Sequence, residues 1–155
     1  MNELNHERYM RRAIELTANC PQLPFGAVIV HHLSGRVVAE GWNRTGENPT
    51  WHGEIDAINR LAAVIPAPDP AELTLYTTAE PCPMCQGAVL FAGIGKVVFG
   101  ASIRFLADTG WKQIEIPAEE LVRRAPGMRC SVVGGVLEDE CQKLFLAVGR
   151  SAPGR

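Results

Sequence analysis

The sequence predicts an α/β protein, a three-layer α/β/α sandwich around a mixed sheet of about five strands. Two observations point there. Apolar residues recur at helical spacing in some segments and in short β-branched runs in others. These segments alternate along the chain as α, β, β, α, β, α, β. Length agrees: 155 residues suffice for a core that buries roughly 70% of the unfolded surface. Residues 1–155 are read as one domain, with 150–155 as a frayed tail.

The first helix is read over residues 5–19, with Tyr9, Ala13, Ile14 and Leu16 near one side and Pro21 and Pro24 ending it. "PFGAVIVHH" and "RVVAEGWN" flank the turn "LSG" and read as a hairpin. After the polar loop "RTGENPT", Ile55, Ile58, Leu61, Ala62 and Ile65 mark a second helix, for which Thr50 is a candidate cap. "PAPDPAE" breaks it. "LTLYTTA" is a buried strand, and "PMCQGAVLFAGI" is a helix with Pro83 in its first turn. "GKVVFGAS" is the fourth strand. Beyond residue 101 the pattern weakens to a short helix "IPAEELVRRA", a strand "RCSVVGGV" and a last helix "LEDECQKLFLAVG".

Composition narrows the function. Apolar residues make up 46% and charged residues 21%, the balance of a globular chain and not a disordered one. With 15 basic and 17 acidic residues the net charge is −2, and no basic stripe announces a nucleic acid partner. No apolar run is long enough to span a membrane, and no basic start precedes an apolar stretch. Five cysteines are an odd number without scaffold spacing, which points to a reducing cytoplasm.

Cys82 and Cys85 pose the chemical question. A C-x-x-C pair serves as a redox couple, a structural metal knuckle or part of a catalytic metal site. The stretch "WHGE" decides among them, since it places His52 and Glu54 at the start of one helix, with Cys82 and Cys85 opening another. A redox pair has no need of H-x-E, and a closed zinc site needs a fourth ligand that no second C-x-x-C supplies. Cys20, Cys130 and Cys141 are isolated and read as buried thiols. H-x-E with P-C-x-x-C is the pattern of zinc deaminases. Over residues 24–101 the chain resembles the cytidine-deaminase-like superfamily, most of all the branch of guanine deaminases and tRNA adenosine deaminases.

The chemistry suits the residues. His52, Cys82 and Cys85 supply three ligands of one Zn2+ per chain and leave a position open for water. A helix N-terminus stabilises thiolate, and water on such a zinc reaches a pKa near ~7. Glu54, two residues past the histidine, suits a catalytic proton shuttle better than a fourth ligand. A structural zinc module would have no use for it.

The resemblance implies that Asn43, in "GWNR", holds the substrate base by its amide, although Asn is also common in turns. Trp51 either stacks on a substrate ring or caps the core. Trp111 either covers the pocket or packs under a loop. Phe25 and Phe91 read as core, Glu80 as a brace for the "EPC" loop, and His6, His31 and His32 as surface residues.

The implied activity is hydrolytic deamination of a free purine-type base or related amino-heterocycle, guanine first, with release of ammonia. The alternatives are a tRNA adenosine deaminase and a non-catalytic zinc-stabilised module. The tRNA-editing relatives' stretch after the fourth strand has no match in "ASIRFLADTGWKQIEIP". The acid that guanine deaminases carry there is not plain either, since Lys112 and Gln113 occupy that region. The expected partners are a small-molecule substrate and, by resemblance, a second copy in a homo-oligomer, a dimer. Nucleic acid and membrane partners are not indicated.

Overall fold

The computed structural model describes residues 4–149, so the tail at 150–155 lies outside the described residues. Among these, one sheet holds β1 (Gly26–His31), β2 (Arg36–Trp42), β3 (Leu73–Ala79), β4 (Lys96–Ala101) and β5 (Ser131–Val133). The strand order is β2-β1-β3-β4-β5. β1 is antiparallel to both β2 and β3, while β3–β4 and β4–β5 are parallel. The helices are α1 (His6–Leu16), α2 (Gly53–Leu61), α3 (Pro83–Ala92), α4 (Ile103–Asp108), α5 (Ala118–Arg123) and α6 (Glu138–Val148). The mixed five-stranded α/β architecture matches the expectation.

Strand periodicity sorts the core into two layers. Val28, Val30, Tyr76 and Val98 face α1 and α6, where they meet Tyr9, Met10, Ala13, Cys141 and Phe145. Ala27, Ile29, Leu75 and Val97 face α2 and α3, where they meet Ala57, Ile58 and Val89. The central strand β3 is buried at every position, as expected of a strand covered on both faces. The hairpin turn uses Gly35 at φ 69°, a conformation that costs glycine little.

Several boundaries differ from expectation. α1 stops at Leu16, and Thr17–Asn19 continue it only as a 3-10 turn. α2 is shorter than its periodicity suggests: residues 62–65 leave the helix, and Ile65 is 92% exposed. Its N-cap is His52, not Thr50, whose hydroxyl turns back to Asn48 Oδ1 at 3.0 Å. α4 escaped sequence reading because it is one turn and a half long. Its cap is Ser102, whose hydroxyl oxygen accepts the Phe105 N–H at 3.0 Å.

Four assignments of individual residues also change. Phe91 is 83% exposed rather than core. His6 is half-buried, with Nδ1 2.8 Å from the Tyr76 hydroxyl. His31 is half-buried and pairs with Glu72 at 3.0 Å. His32 is half-buried as well.

α2 lies unusually close to the sheet. A Cβ on Gly41 would stand 2.4 Å from Ala57 N and 2.6 Å from Gly53 O. The helix that carries His52 and Glu54 can sit there only because residue 41 lacks a side chain. We expect Gly41→Ala to lower stability by about 1–3 kcal/mol, the usual cost of overpacking, as a reduced urea midpoint of the zinc-loaded protein. An unchanged midpoint would show that the contact tolerates a methyl group.

Candidate metal centre and active site

Both ligand-bearing helices begin on a ligand. His52 is the N-cap residue of α2 and Cys82 that of α3, each in extended conformation. Their carbonyls accept the first helical hydrogen bonds, from Asp56 N at 2.9 Å and Gln86 N at 2.8 Å. Pro83 supplies the fixed φ that favours a first helical position. The other end of α3 closes on Gly93 at φ 77°, with Ile94 N donating to Val89 O at 3.1 Å. Glu54 and Asp56 lie in the first turn of α2, where acids complement the helix dipole.

His52, Cys82 and Cys85 are buried together. His52 Nδ1 lies 3.5 Å from Cys82 Sγ and 3.4 Å from Cys85 Sγ. A tetrahedral zinc with ordinary Zn–S and Zn–N bonds sets sulfur and nitrogen about 3.6 Å apart. The donors are therefore already at coordinating separation, and two thiols with one imidazole form a donor set suited to zinc. The three predicted ligands are positioned as a zinc site.

Glu54 is fully buried. The Thr77 hydroxyl lies 3.1 Å from Glu54 Oε1 and 2.9 Å from the Ala79 carbonyl oxygen. It holds one proton, so it donates to one of them at a time. Sequence reading missed Thr77. The signal was there, since alternation along β3 puts Thr77 on the face of Leu75, under α2.

Asn43 is 6% exposed. Its Oδ1 accepts from the Thr45 N–H at 3.1 Å and the Thr45 hydroxyl at 2.8 Å. A backbone N–H can only donate, so these bonds orient the amide. Nδ2 is left buried without a hydrogen-bond partner among the described residues. The Asn43 backbone N–H donates to Phe25 O at 3.0 Å. A Cβ on Gly53 would stand 2.6 Å from that same oxygen. Asn43 thus sits against the start of α2.

The tryptophans behave differently. Trp111 is 3% exposed and packs edge-to-face with Phe25 and Phe145. It belongs to the core, the under-loop alternative, and not to a pocket lip. Trp51 donates its indole N–H to Asp56 at 3.1 Å, with the Arg44 guanidinium 4.3 Å from its ring centroid. Asp56 is the organiser that sequence reading overlooked. It is 1% exposed, accepts the Trp42 N–H at 3.1 Å and pairs with Arg44 and Arg60.

Glu80 braces the cysteine loop as expected. Its two carboxylate oxygens accept Ile103 N and Ala118 N, each at 2.8 Å. This ties the segment between α4 and α5 to the residue two before Cys82. Within that segment both amide atoms of Gln113 are buried without a hydrogen-bond partner among the described residues.

The remaining cysteines stand apart. Burial pushes the Cys141 thiol up to about 12 and raises those of Cys20 and Cys130. Cys141 is buried, whereas Cys20 and Cys130 are only half-buried. Thiols held protonated are poor nucleophiles and ligands.

Residues 3–101 match the cytidine and deoxycytidylate deaminase zinc-binding region. The chain belongs to this deaminase family. Among relatives, a guanine deaminase of Bacillus subtilis is 38% identical over 129 residues, covering 76% of this chain and 81% of that protein. A tRNA-specific adenosine deaminase of the same species is 33% identical over 149 residues, covering 93% and 88%. A crystal structure of a mutant protein in complex with 8-azaguanine superposes with TM-score 0.80 and 28% identity, covering 92% of this chain and 84% of that one. As a member of the deaminase family, the chain is a zinc-dependent aminohydrolase acting on a base or nucleoside.

We expect the wild-type protein to hold one zinc per chain, and Cys82→Ala and Cys85→Ala each to hold much less, measured by elemental analysis. Binding should weaken at low pH as the thiols protonate. Full zinc in both variants would remove them from the ligand set.

Proposed function

We propose that this deaminase acts on a free amino-substituted purine base, guanine first, and releases ammonia. The observation that carries the reading is the Asn43 amide, whose Nδ2 is buried and has no partner among the described residues while its oxygen is already used. A buried donor without a partner costs about 1–3 kcal/mol, so a ligand acceptor on a base edge stabilises it. The likeness to a guanine deaminase and to a structure holding 8-azaguanine supports the same ring class. The net charge of −2 supports a free base over a folded polyanion.

Zinc, when bound, supplies Lewis-acid activation of water. Glu54 would take a proton from water as the water oxygen bonds to the amino-bearing carbon. It would pass that proton to the neighbouring ring nitrogen, then carry the proton of the new hydroxyl to the amino group, so that the C–N bond breaks, the carbonyl forms and ammonia leaves. The Thr77 hydroxyl, within hydrogen-bond distance of the carboxylate, restrains its rotation. Asn43 donates Nδ2–H to a ring acceptor and sets the orientation of the base. Trp51 shapes the rim: its indole N–H and one ring face are engaged by Asp56 and Arg44, so it acts by holding the loop rather than by free stacking. The assembly that goes with this reading is a cytoplasmic homodimer.

A tRNA adenosine deaminase is the second reading, favoured by the relative that covers 93% of the chain. A side-by-side ammonia assay separates the two. Its substrates are guanine, adenine, cytosine, their nucleosides, the triazine ammeline and a tRNA anticodon stem-loop. We expect turnover of guanine or a related free ring, with little dependence on salt. Turnover of the stem-loop alone, falling steeply with salt, would establish the second reading. Turnover of cytosine or cytidine alone would refute the purine-type pocket.

A further inference from the structure

The catalytic residues gather at the C-terminal end of β3, where Thr77 reaches Glu54 and the cysteine loop follows. At the other end of the same strand lies a cavity of about 500 Å³, within the size range of small-molecule sites. β3 is 7 residues long, roughly 20 Å at about 3.3 Å per residue. The cavity and the metal centre are therefore separate places.

Register explains the polar floor of the cavity. Thr74 on β3 pairs with Lys96 on β4, and Lys96 pairs with Ser131 on β5. Alternation puts Thr74 on the face of Tyr76, Lys96 on that of Val98 and Ser131 on that of Val133. This is the face that α1 and α6 cover further along. The row itself stays uncovered. α1 begins at His6, whose Nδ1 lies 2.8 Å from the Tyr76 hydroxyl, already one step of that face past Thr74. α6 meets the opposite end of β4, with Cys141 against Gly100.

The groups around this space share one chemistry. Thr74 is 2% exposed, yet its hydroxyl has no hydrogen-bond partner among the described residues. A buried polar group left so is costly, and a ligand that accepts from it removes the cost. Lys96 has no ion-pair partner among the described residues. His6 and His32 border the same cavity, and no acidic residue does among the described residues. Glu72, next in sequence to two of the lining residues, is taken up by His31 at 3.0 Å. Leu33 also borders the cavity and is 60% exposed.

We propose that this cavity is a second ligand site, which takes a small organic phosphomonoester. The Lys96 ammonium and the Thr74 and Ser131 hydroxyls donate to the phosphate oxygens, with the imidazoles beside them. A phosphomonoester offers three terminal oxygens, which suit donors arriving from three neighbouring strands better than the two of a carboxylate. Charge-assisted bonds of this kind are the strong ones. The cavity has room for more than the phosphate, and Leu33 offers an apolar wall to the ester's organic body.

Calorimetric titration of the zinc-loaded protein with phenyl phosphate tests the site. Wild type should bind one molecule per chain, more tightly than it binds inorganic phosphate or benzoate. Lys96→Met and Thr74→Val should each weaken binding at least about 10-fold, the loss of one hydrogen bond to a charged group. Zinc content and circular dichroism like those of wild type establish that both variants are folded. Lys143→Met, on α6, should bind as wild type does. Absence of saturable binding to wild type, or unchanged affinity in both row variants, would overturn the proposal. An equal loss in Lys143→Met would overturn it too, by reducing the effect to general charge attraction. Benzoate or inorganic phosphate bound as tightly as phenyl phosphate would refute the ligand class.

Discussion

The site depends on one topological constraint: β2 and β3 flank β1, and both run antiparallel to it. They therefore run parallel to each other and end at the same end of the sheet. The helices that follow them, α2 and α3, begin there and pack on the same face. Ligands 30 residues apart in sequence, His52 and Cys82, are brought to 3.5 Å by this arrangement. Three donors converge where two helix N-termini concentrate positive potential, which favours the thiolate form that zinc requires.

Packing holds that geometry. Glycines let backbone meet backbone where a side chain would intrude. Gly41 and Gly53 bring α2 down onto β2 and the end of β1, which fixes the height of His52 and Glu54 above the sheet. On the other side Glu80 grips Ile103 and Ala118 through backbone N–H groups, so the polypeptide beyond β4 closes against the cysteine loop. Asp56 is buried, paired with Arg44 and Arg60, and hydrogen-bonded to two tryptophan residues. Breaking one partner of such a cluster is costly because the charge left behind is desolvated. The loop from Asn43 to Trp51 is thereby fixed, and with it the buried amide of Asn43.

Much of this was legible from residue types alone. Zinc chemistry restricts its donors so narrowly that His52, Cys82 and Cys85 stood out, and β-branched runs gave the strands. Other features were hidden for physical reasons. α4 is too short to show periodicity. Phe91 reads as core because it is aromatic within an apolar helix, and only the fold reveals that it points away from the core and is 83% exposed. Trp111 reads equally as lip or core, and Phe25 and Phe145, distant in sequence, decide for the core. Asp56 was overlooked because an acid in a first helical turn is ordinary. Its weight comes from Trp42, Trp51, Arg44 and Arg60, which no local pattern assembles.

The central claim is that Glu54 moves protons beside a metal held by three other residues. Glu54→Gln separates these roles, because it removes the base while leaving all three donors. Zinc content and ammonia release measured on the same preparation test it most directly. The account predicts one zinc per chain with ammonia release reduced about 10²-fold or more. Loss of zinc, or undiminished ammonia release with zinc in place, would contradict it.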